Sequence, residues 1–381
     1  MRTSRQRPAA RDPACDERAE AGRTLTAALR WAEIDLDAVR ANVATILAHL
    51  PRATKMFAVV KANGYGHGAQ QVARAALHGG AWGLAVSTLE EADELAGLVK
   101  AERVLVMGGL TSRQAREAAG SGCSIGVSSL EFAKALGEQD EVVPVHLKID
   151  TGMGRLGCRP DTAAAIAKFI DQAPSLRLAG TWTHFASADS DETMTRKQFD
   201  RFTAALETFE VEPGMRHACN SAGAHRFPEL ALDAVRTGIA LYGCEWPGTK
   251  PALSLRSVVT HLKTLVPGDT VGYGATWRAS AKTPVATVAI GYADGVHRAR
   301  SNRGHVLIRG HRAPVIGRVS MDAITADASN VPGVRVGDVV TVIGRDEADH
   351  IKAEEVAEWS DTISWEVLTS IGSRVERRYS E

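Results

Sequence analysis

From Met56 onward, short apolar runs alternate with longer stretches whose apolar residues recur at helical spacing. The runs are Met56–Val60, Trp82–Val86, Val104–Met107, Cys123–Val127, Val143–Ile149, Leu178–Phe185, His217–Cys219 and Ala234–Tyr242, eight in all. Between them lie Ala/Leu/Glu-rich segments such as Gln70–His78 and Leu89–Val99. Short strands that are apolar throughout and separated by helices imply a parallel sheet covered on both faces. Eight such units in roughly 200 residues match a closed (β/α)8 barrel. The shortness of the seventh run leaves an open doubly wound sheet as the alternative. After about Arg256 the pattern changes. Val258–Lys263, Val285–Ile290, His305–Arg309, Ala313–Ile316 and Val339–Ile343 read as strands, with Pro267-Gly268-Asp269 and Pro332-Gly333 as turns. A helical stretch follows over Ala353–Ile371. The expected fold class is α/β: an N-terminal (β/α)8 TIM-type barrel over 37–256 and a C-terminal, mostly antiparallel β-domain over 257–381.

A chain of 381 residues suits two domains, and 44% hydrophobic with 24% charged residues suits a full core. Lys+Arg and Asp+Glu number 45 each, so no overall field draws nucleic acid or an anionic membrane surface. No run of 18 or more apolar residues offers a membrane span. Five scattered cysteines, without paired spacing, argue against a disulfide framework and against a zinc site. A reduced, cytoplasmic setting is the simplest expectation. The first 27 residues lack the apolar centre of a secretory signal and are expected to form a disordered extension.

In a barrel, reactive groups gather at the C-terminal ends of the strands, where the loops form one shared pocket. The first run ends in Lys61, followed by a Gly-rich turn with Tyr65. A lysine leaving an apolar strand is desolvated, which favours its neutral, nucleophilic amine. An ordinary surface lysine before a turn is the plainer reading of that residue alone. The fifth run leads through Lys148 to Gly152-Met153-Gly154-Arg155, where a planar guanidinium suits a carboxylate. A structural salt bridge is the alternative for Arg155. The sixth run ends at His184, the seventh at Asn220-Ser221 and the eighth at Arg236-Thr237-Gly238-Ile239. Backbone N–H groups after Ser221 offer an anion a place. Each of these residues alone is more often structural, but five of eight strand ends carrying such groups outweighs the separate alternatives.

These segments resemble one family, the alanine racemases. Val59–Gly68 (VVKANGYGHG) is similar to that family's cofactor-lysine motif. Gly152–Gly157, His184–Ala186, Asn220–Ala222, Val235–Ile239, Val271–Gly274, Gly291–Gly295 and Ser320–Asp322 follow in the family's order. The likeness runs from about Trp31 to Arg377. It implies a barrel that carries pyridoxal 5'-phosphate, with strand 31–36 joining the second domain. It also implies a homodimer in which Tyr273 and Met321 enter the partner's barrel mouth. By the same resemblance, Lys61 holds the cofactor and serves one face of the substrate, and Tyr273 serves the other. Racemisation requires bases on both faces of the α-carbon. Tyr273 needs cationic surroundings, which His184 and Arg236 would relay. Arg236 would face the pyridine nitrogen and, unable to accept a proton, leave it unprotonated. Tyr65, Asn220, Ser221, Gly238 and Ile239 would surround the phosphate side. Arg155 and the backbone of Met321 would hold the substrate carboxylate.

Lys148 stands where the family can carry a carbamylated lysine, a plain lysine paired with Asp150 being the alternative. Tyr292 would narrow the entrance, and Asp189, Arg298 and Arg318 would be its outer polar residues or ordinary surface charges. Ser373 stands where some members have a phosphate-side tyrosine, and Ser320 where a cysteine often precedes Met-Asp. No metal is implied. The activity expected is interconversion of L- and D-alanine, supplying D-alanine to a cell wall. The nearest alternative is a serine or broad-specificity racemase, because an apolar pocket rejects one hydroxyl only modestly. A barrel-type decarboxylase would want a carboxylate at the pyridine nitrogen, and a mere cofactor carrier would not need the second domain.

Overall fold

A computed structural model describes residues 28–381, so the extension expected over 1–27 lies outside the described residues. Strand β1 (Arg30–Asp35) precedes the barrel in sequence. The barrel strands are β2 (Lys55–Val59), β3 (Gly83–Val86), β4 (Val104–Val106), β5 (Ser124–Val127), β6 (Val143–Lys148), β7 (Leu176–Trp182), β8 (Met215–His217) and β9 (Ala234–Thr237). All are parallel to their neighbours, and β2 pairs with β9 to close the ring. The closed barrel replaces the open-sheet alternative, and the short β8 does hold the seventh place. Every residue of β3, β5 and β6 is buried, as apolar strands require when side chains fill one face and helices cover the other.

Polar caps mark where the covering helices begin. Asp35 accepts from Ala38 N, Ser129 from Phe132 N and Asp191 from Met194 N, and Pro160 opens the helix over Pro160–Gln172. Two elements differ from the pattern expected. Only Leu89–Asp93 of the stretch to Val99 is helical, after which the chain turns through Gly97 at φ +79°. The apolar run from Ala234 leaves the sheet after Thr237 and coils into a 3-10 turn over Ile239–Tyr242.

The C-terminal domain adds β10 (Leu253–Leu265), β11 (Thr270–Val271), β12 (Trp277–Arg278), β13 (Thr283–Val288), β14 (His305–Ile308), β15 (His311–Pro314), β16 (Ile324–Asp327), β17 (Val339–Asp346), β18 (Asp349–Ile351) and β19 (Glu376–Ser380). Its sheet is antiparallel except where β1 runs parallel to β19. Strand β1 thus leaves the barrel side of the sequence to sit between β10 and β19. The helical stretch near the end forms as two helices, Ala353–Ser360 and Ser364–Thr369. One continuous apolar core spans both domains, and a small second one (Leu265, Val271, Ala279, Val285, Ile316) lies under the β11–β12 hairpin. Among the described residues no helix is long and apolar enough to cross a membrane.

Candidate active site

Lys61 stands one residue beyond β2 and is half-buried. The residues after it turn the wrong way for L-amino acids. Ala62, Asn63, Gly64 and Tyr65 all have φ between +50° and +60°, one turn of left-handed helix. Such a conformation costs roughly 1–2 kcal/mol at each non-glycine residue, so the surroundings must hold it. Several groups do. Glu91 accepts Ala62 N–H at 2.7 Å, Asn63 Oδ1 accepts Ala69 N–H at 3.0 Å, and buried His67 bonds the Tyr65 carbonyl at 2.9 Å. Tyr65 stacks on Tyr242, whose hydroxyl donates to the Val59 carbonyl. Burial and the Arg155 guanidinium lower the pKa of Lys61, against the opposing pull of Glu91.

Tyr65 is buried, which pushes its phenol up to about 12 and keeps it a neutral donor. It lies against the backbone at Gly238, where a Cβ would sit 2.5 Å from its hydroxyl oxygen. Only glycine leaves that approach open. Ser221 Oγ accepts Gly238 N–H at 3.0 Å, which ties the β9 turn to the start of the 221–226 helix. Asn220 is turned to structure: its Oδ1 accepts Gly223 N–H as the cap of that helix. Ile239 follows Gly238 as the first residue of the 3-10 turn.

Arg236 crosses the barrel interior, 2% exposed. Its Nη2 donates to the carbonyls of Thr183 (2.7 Å) and Ala218 (2.9 Å) and lies 3.3 Å from His184 Nδ1. Its Nη1 donates to His217 Nδ1 at 2.6 Å, which leaves the His217 proton on Nε2, 2.8 Å from His146 Nδ1. Burial, with Arg236 adding, drives the pKa of both imidazoles down, His146 to about 3, so the chain Arg236–His217–His146 carries one positive charge. Arg236 Nε is buried and has no partner. An unmade hydrogen bond of that kind costs about 1–3 kcal/mol, so Nε awaits an acceptor.

Lys148 ends β6, 3% exposed, with Nζ 4.5 Å from the Trp182 ring that Arg236 also covers at 4.6 Å. Burial first, then Arg236 and Arg155, bring its pKa down to about 8. No ion pair among the described residues includes Lys148. Asp150, the carboxylate nearest in sequence, instead accepts the amides of Gly152, Met153 and Gly154 and so shapes the loop that carries Arg155. Burial and the cations Arg236, Lys148, Arg155 and Lys61 hold His184 well below its usual pKa. One barrel mouth therefore gathers Lys61, Lys148, Arg155, His184 and Arg236, with Glu91 and Asp150 as its flanking anions.

The remaining candidates sit elsewhere. Tyr273 is 70% exposed in the β11–β12 hairpin, between Gly272 and Gly274 at φ +70° and +72°. Arg318 packs over Gly274. Met321 is 51% and Tyr292 44% exposed, and their loops are joined by Tyr292 N–H to Ser320 O and Ala293 N–H to Met321 O. Fully buried Asp294 holds this turn, accepting from Gly291 N–H, Arg30 and Arg374, while Arg374 also reaches Asp322. Asp189, Arg298 and Ser373 are exposed, and Ser320 is half-buried. The C-terminal group thus forms a surface of its own, with three large apolar side chains uncovered.

Sequence reasoning did not single out Glu91, His146, His217 or Asp294. A histidine inside an apolar run was the available signal for His146, and one at the head of such a run for His217.

Residues 34–245 match the family described as "Alanine racemase, N-terminal domain", and residues 252–379 match "Alanine racemase, C-terminal domain". An alanine racemase of Desulfosudis oleivorans is 41% identical, over 92% of this chain and 96% of its own. The alanine racemase structure from E. faecalis superposes with a TM-score of 0.87 at 36% identity, covering 92% of this chain and 98% of that one. That of Bacillus anthracis, determined with bound L-Ala-P, gives 0.85 at 38% identity, covering 93% and 95%.

Proposed function

The chain belongs to the alanine racemase family and is an amino-acid racemase, and from that premise we propose that it interconverts L- and D-alanine by a two-base mechanism dependent on pyridoxal phosphate. The observation that carries the cofactor reading is the unpartnered Arg236 Nε inside a mouth of four cations. A ring nitrogen would accept from Nε, and Lys61, Lys148, Arg155 and Arg236 suit an anionic phosphate and phenolate. The Tyr65–Gly238–Ser221 corner, with the backbone at Gly238 and Ile239, offers donors to the phosphate. Bound there, pyridoxal phosphate supplies the electron sink that acidifies the substrate's Cα–H.

Lys61 would hold the cofactor through its amine and would hold or move a proton at Nζ on one face of the substrate. The left-handed turn aims that amine, and its lowered pKa leaves more of it neutral. Arg236 would donate to the ring nitrogen and, as a guanidinium that can accept no hydrogen bond, would leave that nitrogen unprotonated. The His217–His146 chain fixes the guanidinium's direction. Arg155 orients the substrate carboxylate.

On the opposite face we assign the proton to Tyr273 of the partner subunit. Exposed Tyr273, Met321 and Tyr292 on one stitched surface support a dimer in which this surface caps another copy's mouth. Lys148, buried and near half-neutral at pH 8, is open to carbamylation by CO2, and the carbamate would accept from Arg155. Asp189, Arg298 and Arg318 remain entrance residues on this reading. The product serves as the D-alanine supply for cell-wall synthesis.

The test supplies the protein with pyridoxal phosphate and measures the D-enantiomers formed from L-alanine, L-serine and L-lysine by chiral chromatography, alongside Lys61→Ala. Fast D-alanine formation that disappears in the variant supports the reading. Comparable rates on serine or lysine move it to a broad-specificity racemase. Absence of any D-product despite bound cofactor overturns it.

A further inference from the structure

The left-handed turn after Lys61 is held by a carboxylate from a different barrel unit. Glu91 lies in the helix that follows β3, where it also closes a capping box with Thr88. Its Oε1 accepts Ala62 N–H at 2.7 Å, the first amide beyond Lys61. Its Oε2 accepts Ser87 N–H at 2.7 Å and Thr88 N–H at 3.3 Å, the first amides beyond β3. One side chain thus ties the ends of adjacent strands together at the point where Lys61 emerges. Ala62 N–H begins a left-handed turn and has no partner inside it, as at any helix start. A charged acceptor there makes a short, strong bond. We propose that Glu91 is a positioning residue for Lys61, clamping the strained turn to the end of β3 so that the amine is presented in one direction beside an anion.

The inference rests on the reading of Lys61 as the amine that carries the cofactor and moves the proton. The charged and titratable groups facing Lys61 are Arg155 on the loop after β6, Lys148 at the end of β6, His184 beyond β7, and Glu91. Glu91 is the anion among them, and it opposes the pull of burial and Arg155 on the amine. Glutamine cannot replace it. A carboxylate accepts at both oxygens, whereas an amide turns an NH2 toward either Ala62 or the Ser87–Thr88 pair, donor against donor.

Two variants separate clamp from charge: Glu91→Gln removes both, and Glu91→Asp keeps the charge but shortens the reach. Hydrogen exchange on the purified full-length protein reads the clamp at the amides of Ala62, Ser87 and Thr88. Trace acetylation of the full chain, after hydroxylamine removes the cofactor, reads the pH midpoint of Lys61 by mass spectrometry. In Glu91→Gln these amides should exchange about tenfold faster or more. The Lys61 midpoint should fall by about half a unit or more, and kcat by about tenfold while KM moves less. Glu91→Asp should show the fast exchange with a midpoint close to that of the unaltered protein. Unchanged exchange and midpoint in Glu91→Gln overturn the proposal, as does an equal fall of the midpoint in both variants. Should Glu91→Gln not fold, exchange at Ala62 in Glu91→Asp decides: fast supports the clamp, unchanged overturns it. None of these readouts uses turnover of Lys61→Ala, so failure of the clamp leaves the role of Lys61 standing, and the reverse.

Discussion

Burying Lys148 costs stability, and Lys148→Met should recover it. The ammonium lies at the mouth end of β6, 3% exposed, with Arg236, Arg155 and Lys61 disfavouring its charge and Asp150 alone favouring it. The drop from the ordinary lysine value of 10.5 to about 8 corresponds to roughly 3 kcal/mol, at 1.36 kcal/mol per unit. Methionine keeps the unbranched stem against Trp182 and removes the charge. At pH 7 the variant should therefore be about 1–3 kcal/mol more stable, after allowance for lost contacts and cation–π attraction. The pH dependence is the sharper part. Between about 8 and 10.5 the folded protein has released the Lys148 proton while the unfolded chain still binds it. Stability contributed by this group then climbs with pH over that window. Below it the penalty is whole, and above it the penalty is gone. The gap between variant and parent should close as pH rises from 8 toward 10.5. Guanidinium denaturation at fixed protein concentration, in CO2-free buffers across that range, measures it. Added bicarbonate should stabilise the parent, whose lysine becomes an anion among guanidiniums, and leave Lys148→Met unmoved. A gap that ignores pH, or a bicarbonate effect of equal size in both proteins, refutes the reasoning.

Further tests address the other elements. Gly238→Ala puts a Cβ 2.5 Å from the Tyr65 hydroxyl, an overlap worth about 1–3 kcal/mol, and should weaken pyridoxal phosphate binding about tenfold or more in a fluorescence titration. Undiminished affinity would separate Tyr65 and Gly238 from the phosphate. Tyr273→Phe removes a hydroxyl from a 70% exposed side chain, so dimers should persist in sedimentation while turnover falls about a hundredfold or more. Turnover that is unaffected in both directions would sink the second base. Asp294→Asn uncouples a fully buried carboxylate from Arg30 and Arg374 and should cost about 3–5 kcal/mol, lowering the denaturant midpoint. An unaltered midpoint would show that the Tyr292 turn does not depend on it.

The barrel was legible because its signal is global: eight apolar runs, largely buried, spaced by helices. The residues at strand ends were legible for the same reason, since topology alone brings Lys61, Lys148, Arg155, His184 and Arg236 to one mouth. What sequence did not reveal lives in register and reach. His146 and His217 stand 71 residues apart and meet because β6, β7 and β8 are neighbours in the ring, with Gly180 on β7 leaving room for the His146 ring. Glu91 reads as an ordinary helix-start glutamate, and its capping role is real, but its second oxygen serves a turn 29 positions earlier. Asn63 and Gly64 hint at positive φ, whereas Ala62 and Tyr65 do not, so a full left-handed turn could not be read from propensity. Leu89–Val99 has helical spacing, yet the helix stops at Asp93.

These surprises fall mostly around one side chain. A strained turn survives only where surrounding contacts over-determine it. Here the contacts are Glu91, Asn63, His67 and Tyr242, and what they orient is the amine of Lys61. The exposed group of Tyr273, Met321 and Tyr292 has the opposite character: the Tyr292 and Met321 loops are hydrogen-bonded to each other, the Tyr273 hairpin rests on a small core of its own, and all three side chains are left uncovered. A cation-rich mouth on one domain and an exposed apolar surface on the other are what the proposed dimer would bring together.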